Sequence, residues 1–298
     1  MNYNILGKSS LKISEIGFGC MSLGDDQNEN EYLINRAIDS GVNFFDTADL
    51  YGKGQNEVQV GKILKDKRGL VKIASKVGNL WRSDGTGWDW KPSKKYILSA
   101  VEESLRRLQT EYLDLYQLHG GTLEDPIDEI IEAFELLVKQ GKILYYGISS
   151  IRPNVIREYV SRSGIESVMM QYSLLDRRPE ESCFPLLKEY NIGVLARGSV
   201  AQGLLVNKVP KAYLNYSVEE VEAAAKAIKS LSENGRSPAQ TALRFVIQQD
   251  AISSAIVGIR TREQLEDALQ LYDVPELTAS EIAFLNDAVK QNLYEQHR

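Results

Sequence analysis

Eight short apolar runs, separated by longer amphipathic segments, constrain the fold more than any other feature of this sequence. The runs are nearly continuous in valine, isoleucine, leucine and phenylalanine, which is the pattern of strands buried on both faces. They therefore predict a parallel sheet that is covered by helices. The runs are Glu15–Gly19, Val42–Ala48, Val71–Lys76, Leu113–His119, Ile143–Ser149, Ser167–Tyr172, Gly193–Arg197 and Ala255–Gly258.

The segments between the runs have helical periodicity and helix-boundary residues. Proline stands in the first turn of two of them and glycine follows three of them, at the positions where helices prefer these residues. Strands that alternate with helices form βαβ units, which build either a closed barrel or a doubly wound sheet. The helices predicted on this basis include Asn30–Ser40, Ser93–Leu108, Pro126–Gln140 and Arg152–Ser163.

The first strand separates the two architectures. A doubly wound dinucleotide-binding sheet carries the turn G-x-G-x-x-G after that strand, whereas Gly17–Gly19 is followed here by Cys-Met-Ser-Leu-Gly and lacks the third glycine. This favours an α/β fold of the (β/α)8 TIM-barrel type, in which about 250 residues share one core. We therefore predict a single domain over residues 1–298. We also predict an N-terminal hairpin over Tyr3–Ile13 that caps the barrel bottom, and an extra C-terminal helix over Thr278–Asn292.

Composition argues against several classes of function. The net charge is −6 and the chain has no long basic run, which disfavours nucleic acid as a partner. Two cysteines and two histidines do not suit a disulfide framework or a structural zinc site. The N-terminus has no signal-peptide core, and no apolar run approaches the ~18 residues of a membrane span. We expect a cytoplasmic monomer that needs neither a metal nor a membrane.

Four ionisable side chains lie at or just after the ends of three consecutive predicted strands, where barrel enzymes build their active sites. Asp46 ends the second strand and Tyr51 follows in its loop, while Lys76 and His119 end the third and fourth strands. Each has an ordinary interpretation: a capping aspartate, a surface tyrosine, a solvated lysine and a hydrogen-bonded core histidine. Together, the four residue types form a proton donor.

Carbonyl reduction needs an acid that can protonate a nascent alkoxide near neutral pH. A free tyrosine phenol, with a pKa of about 10, is too weak for this task. A buried lysine ammonium stabilises the phenolate, and an aspartate paired with that lysine keeps the ammonium charged. A histidine beside them can hydrogen-bond the carbonyl oxygen and share the developing charge.

The strand ends lie in motifs that resemble the aldo-keto reductase family, including its branch related to potassium-channel β subunits. Phe44–Gly52 resembles the family signature F-x-D-T-A-x-x-Y-G, and Ile73–Lys76 resembles its catalytic-lysine strand. Leu113–His119 resembles its D-L-x-x-x-H strand, and the overall resemblance runs from Leu6 to about Ala268.

The resemblance implies a division of labour among the four ionisable residues. Tyr51 would be the general acid, Lys76 and Asp46 would support it, and His119 would orient the carbonyl. It also implies NADPH, or NADP+ in the reverse direction, bound in extended form along the barrel mouth.

The cofactor site is implied position by position. The nicotinamide ribose would contact the turn after the first strand and Asp46, and the carboxamide would contact Ser149 and Gln171. The phosphates would contact the loop after strand seven and Lys208. The adenosine 2′-phosphate and the adenine would contact a segment that resembles G-x-R-[ST]. The residues so implied are Gly19, Cys20, Met21, Asp46, Ser149, Gln171, Arg197, Gly198, Ser199, Val200, Ala201, Gln202, Lys208, Gly258, Arg260, Thr261, Gln264 and Asp267.

The residues of the G-x-R-[ST]-like segment are also suited to binding a phosphate. Arg260 offers a forked donor to a phosphate, and Thr261 begins a helix whose N-terminus attracts anions. The alternative is an ordinary helix cap followed by surface charge.

Three positions depart from the family's pattern. Ser150 stands where asparagine is frequent, and Ala268 stands where an adenine-binding asparagine is common. Arg197 replaces an aromatic residue that stacks on nicotinamide. A guanidinium plane can also stack on a ring, but its charge disfavours an adjacent oxidised, cationic nicotinamide. Orientation of Arg197 toward a phosphate is the alternative.

Two loops are candidates for shaping the site. Asn79–Pro92 contains all three tryptophans, Trp81, Trp88 and Trp90, which form either a wall of the substrate pocket or packing over the barrel rim. The stretch Val209–Val218 is predicted to fold over bound cofactor as a lid.

The function we predict is NADPH-dependent reduction of small aldehydes or ketones to alcohols. An NADPH-binding regulatory or redox-sensing module with little turnover and a stable protein partner would carry the same residues, and turnover separates the two. A metal-free lyase or isomerase on a barrel would leave the segment around Arg260 unexplained.

Overall fold

Eight parallel strands close into a barrel at the centre of the structure, a computed structural model that describes residues 1–232 and 235–298. The strands of the described chain are β1 (Tyr3–Ile5), β2 (Lys12–Ser14), β3 (Ile16–Gly19), β4 (Phe44–Asp46), β5 (Lys72–Val77), β6 (Asn79–Trp81), β7 (Trp88–Trp90), β8 (Leu113–Leu118), β9 (Ile143–Ser149), β10 (Ser167–Gln171), β11 (Gly193–Arg197) and β12 (Ile252–Gly258). The α-helices are α1 (Gln27–Asp39), α2 (Gln55–Leu64), α3 (Lys94–Leu108), α4 (Ile127–Lys139), α5 (Pro153–Arg162), α6 (Pro179–Glu189), α7 (Val218–Ser232), α8 (Pro238–Ile247), α9 (Arg262–Leu269) and α10 (Ala279–Ala288).

The barrel strands pair in the order β3-β4-β5-β8-β9-β10-β11-β12, and β12 closes the ring on β3. Each of the eight predicted runs overlaps one of these strands, so the predicted (β/α)8 TIM barrel is confirmed. The last strand begins at Ile252, before the predicted start at Ala255. Ser253 and Ser254 interrupt the apolar run there, but both are buried, and the Ser254 hydroxyl donates to the Ser14 carbonyl (2.8 Å).

The N-terminal hairpin closes the bottom of the barrel, as predicted. Its strands β1 and β2 are antiparallel, and its apolar side chains pack among residues of the barrel interior. Gly7 in the hairpin has φ +58°, and a side chain there would approach the Glu166 carbonyl oxygen to 2.3 Å. Only glycine adopts this left-handed conformation readily and also leaves room for the Glu166 carbonyl. The buried cluster comprises Leu6, Leu11, Ile13, Phe44, Ala74, Leu115, Met169, Leu195 and Ile256.

The extra C-terminal helix is present but shorter than predicted. It begins after a capping box at Thr278, and it ends at Ala288 because Val289 is extended, with φ −141°. Farther on, the buried Asn292 side chain accepts a hydrogen bond from the Arg177 backbone N–H (2.9 Å). None of the helices in the described ranges is long and apolar enough to cross a membrane.

Candidate active site

A buried ion pair lies where β4 and β5 end. Lys76 Nζ donates to Asp46 Oδ2 (2.6 Å) and to the Thr47 carbonyl oxygen (2.8 Å), and all three residues are buried. Burial by itself would lower the pKa of Lys76, but the Asp46 carboxylate and the Tyr51 phenol outweigh it and the pKa is raised. Burial raises the pKa of Asp46, against the opposing effect of Lys76. Lys76 is therefore held as a cation.

The Tyr51 hydroxyl lies beside that cation. Lys76 Nζ is 3.4 Å from Tyr51 Oη and 5.1 Å from the centroid of the phenol ring. Tyr51 begins a tight turn over Tyr51–Gly54, whose last three residues are left-handed, with φ of 55°, 55° and 84°. A side chain at Gly54 would come within 2.8 Å of Arg107, so this turn depends on glycine both for its conformation and for space.

His119 completes the group beside the phenol. Its ring meets the Tyr51 ring edge-on, with centroids 5.8 Å apart and an interplanar angle of 81°. Burial, followed by the charges of Lys76 and Arg197, lowers the pKa of His119 to about 3. Its Nδ1 is buried and has no hydrogen-bond partner within the described ranges. The imidazole is therefore neutral at physiological pH.

Gln117 is a member of this group that the sequence analysis missed. It is fully buried, is the β8 partner of Lys76 in the sheet register, and places Nε2 at 3.5 Å from Asp46 Oδ1. Alternate residues of a strand face the same side. Because Gln117 precedes His119 by two positions, this alternation predicts that the Gln117 side chain lies on the same side as His119.

The turn after β3 approaches the ion pair through its backbone. Gly19 is the register partner of Asp46. Cys20 is fully buried, and burial raises the pKa of its thiol, so its side chain belongs to the barrel wall. The Cys20 carbonyl accepts a hydrogen bond from Asn56 (2.8 Å), whereas Met21 is 62% exposed. Of the implied ribose contacts, the structure thus brings Gly19 and Asp46 together and leaves the Met21 side chain in solvent.

Gln171 and Arg197 meet at the ends of β10 and β11. They are register partners, and Arg197 Nη1 donates to Gln171 Oε1 (3.2 Å). The Arg197 side chain is exposed. Its charge adds to the effects of burial and Lys76 that lower the pKa of His119, and it opposes the rise that burial causes in the pKa of Asp46. Arg197 therefore faces the barrel mouth. Ser149 ends the neighbouring strand β9 and is half-buried.

The loop after β11 has an unusual backbone. Left-handed φ angles occur at Gly198 (75°), Ala201 (47°), Gln202 (60°) and Gly203 (90°), and two of these residues are not glycine. Such conformations store strain, and the N–H groups of Ala201 and Gly203 donate to the carbonyls of Gly198 and Val200 (2.8 Å each). In the same loop Ser199 Oγ is buried without a hydrogen-bond partner in residues 1–232 and 235–298. Its sequence neighbour Val200 is half-buried. The loop can therefore receive a phosphate.

The segment after β12 opens helix α9. Thr261 Oγ1 accepts from the Gln264 backbone N–H (3.3 Å), and the Gln264 side chain accepts from the Arg260 backbone N–H (2.9 Å). The Arg260 side chain is exposed at this N-terminus, and so is Gly258. The exposed Lys208 lies against Gly203 in the loop after β11.

Asp267 stands apart from this group. Its carboxylate accepts the hydroxyl of Ser237 (2.8 Å), the residue that caps α8, and its carbonyl accepts from Gln240 (2.9 Å). These bonds join α9 to α8, and a contact between Asp267 and the adenosine stays a prediction.

The three tryptophans divide between the two predicted roles. Trp90 Nε1 donates to Asp125 (2.8 Å) in packing at the rim, and Trp81 Nε1 donates to the Leu50 carbonyl (3.1 Å), next to Tyr51. Trp88 is 49% exposed and meets Trp81 edge-on. In the predicted lid, Val209 is 85% exposed, whereas Tyr213 is buried and contacts Gln171.

Known proteins share both the sequence and the fold. The Aldo/keto reductase family model matches residues 15–290. The chain is 49% identical over 302 residues to the uncharacterized oxidoreductase YqkF of Bacillus subtilis (strain 168), covering 98% of either protein. The holo form of aldo-keto reductase AKR11C1 from Bacillus halodurans superimposes with a TM-score of 0.93 at 46% identity, over 100% of this chain and 99% of that one. The glycerol dehydrogenase AKR11B4 from Gluconobacter oxydans gives a TM-score of 0.86 at 27% identity, over 96% and 94%.

Proposed function

This chain belongs to the aldo/keto reductase family and is an oxidoreductase, and from that premise we propose that it reduces aldehydes or ketones to alcohols with NADPH. The observation that carries the proposal is the position of the Tyr51 hydroxyl, 3.4 Å from an ammonium that is itself bonded to Asp46 at 2.6 Å. This arrangement stabilises the phenolate that remains after Tyr51 has given up its proton.

NADPH suits the residues around the barrel mouth. The Ser199 hydroxyl, which has no hydrogen-bond partner among the described residues, offers a donor to a pyrophosphate, and Lys208 adds a cation. Arg260, at the start of α9, offers a charged donor to the adenosine 2′-phosphate. The relative from Bacillus halodurans is described as a holo form, which supports cofactor binding here. When bound, NADPH supplies the hydride that the carbonyl carbon accepts.

The protein's own residues handle the proton and the substrate oxygen. Tyr51 donates its hydroxyl proton to the carbonyl oxygen, so that the carbonyl group becomes a hydroxyl. His119, neutral because its pKa is about 3, donates the Nε2 proton as a hydrogen bond to the same oxygen. Lys76 compensates the phenolate charge, and Asp46 offsets the cost of burying the ammonium.

Turnover tests the proposal against a regulatory module. We would incubate the purified protein with NADPH or NADH and a panel of aldehydes and ketones, and follow cofactor absorbance. We expect carbonyl-dependent oxidation that prefers NADPH. Tight binding of NADPH without turnover of any carbonyl would favour the regulatory module, and failure to bind either cofactor would contradict both.

The preference for NADPH over NADH is tested with a separate pair of variants. Arg260→Ala should lower the NADPH-over-NADH preference about tenfold, because a charged hydrogen bond to phosphate is worth about 1.5–3 kcal/mol. Arg106→Ala removes an exposed arginine on α3 that pairs with Glu103, and should leave the preference unchanged. The single domain, the monomeric state and the cytoplasmic location stay predictions.

A further inference from the structure

The side-chain amide of Gln171 makes three hydrogen bonds at the barrel mouth. Nε2 contacts Asp176 Oδ2 (2.9 Å) and Tyr213 Oη (2.8 Å), and Oε1 accepts from Arg197 Nη1 (3.2 Å). The amide therefore turns its nitrogen toward Asp176 and its oxygen toward the mouth.

Asp176 is built to impose that orientation. It is fully buried, and Arg178 binds its carboxylate through two donors, Nε to Oδ1 and Nη2 to Oδ2, both at 2.7 Å. A carboxylate engaged in an ion pair only accepts hydrogen bonds. The oxygen and nitrogen of an amide are nearly equal in size, so shape alone would permit either orientation of Gln171. A reversed amide would place its oxygen 2.9 Å from Asp176 Oδ2, with no proton between two acceptors.

We propose that Asp176 is a positioning residue for the cofactor site: it fixes Gln171 so that the glutamine presents an acceptor, and thereby selects a nicotinamide with a carboxamide NH2 group. The inference rests on the proposed function, since it assigns the Gln171 oxygen to that group. A carbonyl oxygen has two lone pairs, so Gln171 Oε1 can accept from the carboxamide while it keeps Arg197 or after it releases Arg197.

The test compares two ligands that differ in this one donor. NADP+ carries the carboxamide, and its acetylpyridine analogue carries a methyl group in place of the NH2. Dissociation constants of both are measured by equilibrium titration on the full chain. The wild type should bind NADP+ about tenfold more tightly than the analogue, because one hydrogen bond is worth about 1 kcal/mol and the unpaired acceptor adds to the difference.

Asp176→Asn should lower this ratio, because the asparagine can pair with either orientation of Gln171 and Arg197 alone then opposes the reversed one. A reversed Gln171 can donate to the acetyl oxygen. The matched control is Asp250→Asn, which alters an exposed aspartate at the opposite end of the barrel and should keep the wild-type ratio. In a Gln171→Ala background, Asp176→Asn should have no further effect on the ratio. A ratio measured within one variant does not depend on how much of that variant is folded.

A second test begins with a substitution at Gln171 and keeps Asp176 in the first variant. Gln171→Glu sets two carboxylates against each other and should weaken NADP+ binding at least about tenfold. Adding Asp176→Asn to this variant makes residue 176 the hydrogen-bond donor and residue 171 the acceptor. The double variant should regain the preference for NADP+ over the acetylpyridine analogue. A wild-type ratio near one, or an unchanged ratio in Asp176→Asn, would overturn the role of Asp176 even though NADP+ binds. Failure of the wild type to bind NADP+ would instead overturn the proposed function.

Discussion

Lys76 and Asp46 form an ion pair with Nζ and Oδ2 2.6 Å apart and with both side chains almost completely buried. Such a pair is costly to desolvate, and it persists where additional hydrogen bonds satisfy its remaining atoms. The Thr47 carbonyl supplies one to the ammonium and Gln117 approaches the carboxylate. Under the proposed function, we expect the pair to serve the phenol of Tyr51 more than the stability of the fold.

The first prediction separates these two roles. Lys76→Met leaves the Asp46 carboxylate buried without its cation and should lower the free energy of unfolding by about 3 kcal/mol. The double variant Asp46→Asn/Lys76→Met should recover most of that loss, because no charge remains buried, yet should still be inactive. Urea unfolding and NADPH oxidation measure the two effects. Equal destabilisation of the single and double variants would show that the loss does not come from an unpaired charge.

The second prediction concerns His119. Its folded pKa of about 3 lies below the ordinary value of about 6.5, so between these values the unfolded chain binds more protons than the folded one. Stability should therefore fall as the pH drops from about 6.5 toward 3. Going from pH 7 to pH 5 should cost the wild type about 2 kcal/mol more than it costs His119→Gln. Denaturant unfolding of both proteins at the two pH values measures the difference, and parallel losses would refute it.

The third prediction concerns Asp49, for which stability should depend on pH in the direction opposite to that predicted for His119. Burial, reinforced by the charge of Glu57, raises the pKa of Asp49 to about 7, and its Oδ2 accepts a hydrogen bond from Tyr96 (3.2 Å). The folded chain holds this proton between about pH 4 and pH 7, so stability falls as the pH rises through that range. Asp49→Asn should be more stable than the wild type at pH 8, by on the order of 2 kcal/mol, and similar to it at pH 4. Unfolding titrations would contradict this account if the variant were weaker at pH 8.

The barrel itself was predictable because its signal is local. A strand buried on both faces must be apolar at successive positions, and each of the eight barrel strands overlaps such a run. The ends of elements depend on single side chains. Helix α1 begins at Gln27, earlier than the predicted Asn30, because Asp26 caps it by accepting the N–H groups of Asn28 (2.9 Å) and Glu29 (3.2 Å).

The site was predictable in part. The structure brings Asp46, Tyr51, Lys76 and His119 to one spot because strand ends converge at the barrel mouth. The orientation of Gln171 could not be predicted, because an amide's direction depends on which acceptors surround it in three dimensions. The end of α10 depends likewise on tertiary packing around residue 292.

The fourth prediction concerns Arg197, whose charge faces the mouth. Arg197→Tyr removes a cation beside the proposed nicotinamide position and supplies an aromatic face. The affinity for NADP+ should rise about tenfold relative to that for NADPH, because only the oxidised ring carries a positive charge. Fluorescence titrations with each cofactor give the ratio, and Arg106→Tyr on the surface of α3 is the control. An unchanged ratio would mean that Arg197 points toward a phosphate instead.

The central claim is that the Tyr51 hydroxyl delivers the proton, and single-turnover kinetics of Tyr51→Phe test it most directly. Enzyme preloaded with NADPH is mixed rapidly with an aldehyde that the wild type reduces. The matched control is Tyr190→Phe, which changes an exposed tyrosine immediately after α6. We predict that Tyr51→Phe binds NADPH as the wild type does but oxidises it about a thousandfold more slowly, while Tyr190→Phe is unaffected. Oxidation by Tyr51→Phe at a rate close to that of the wild type would contradict the account.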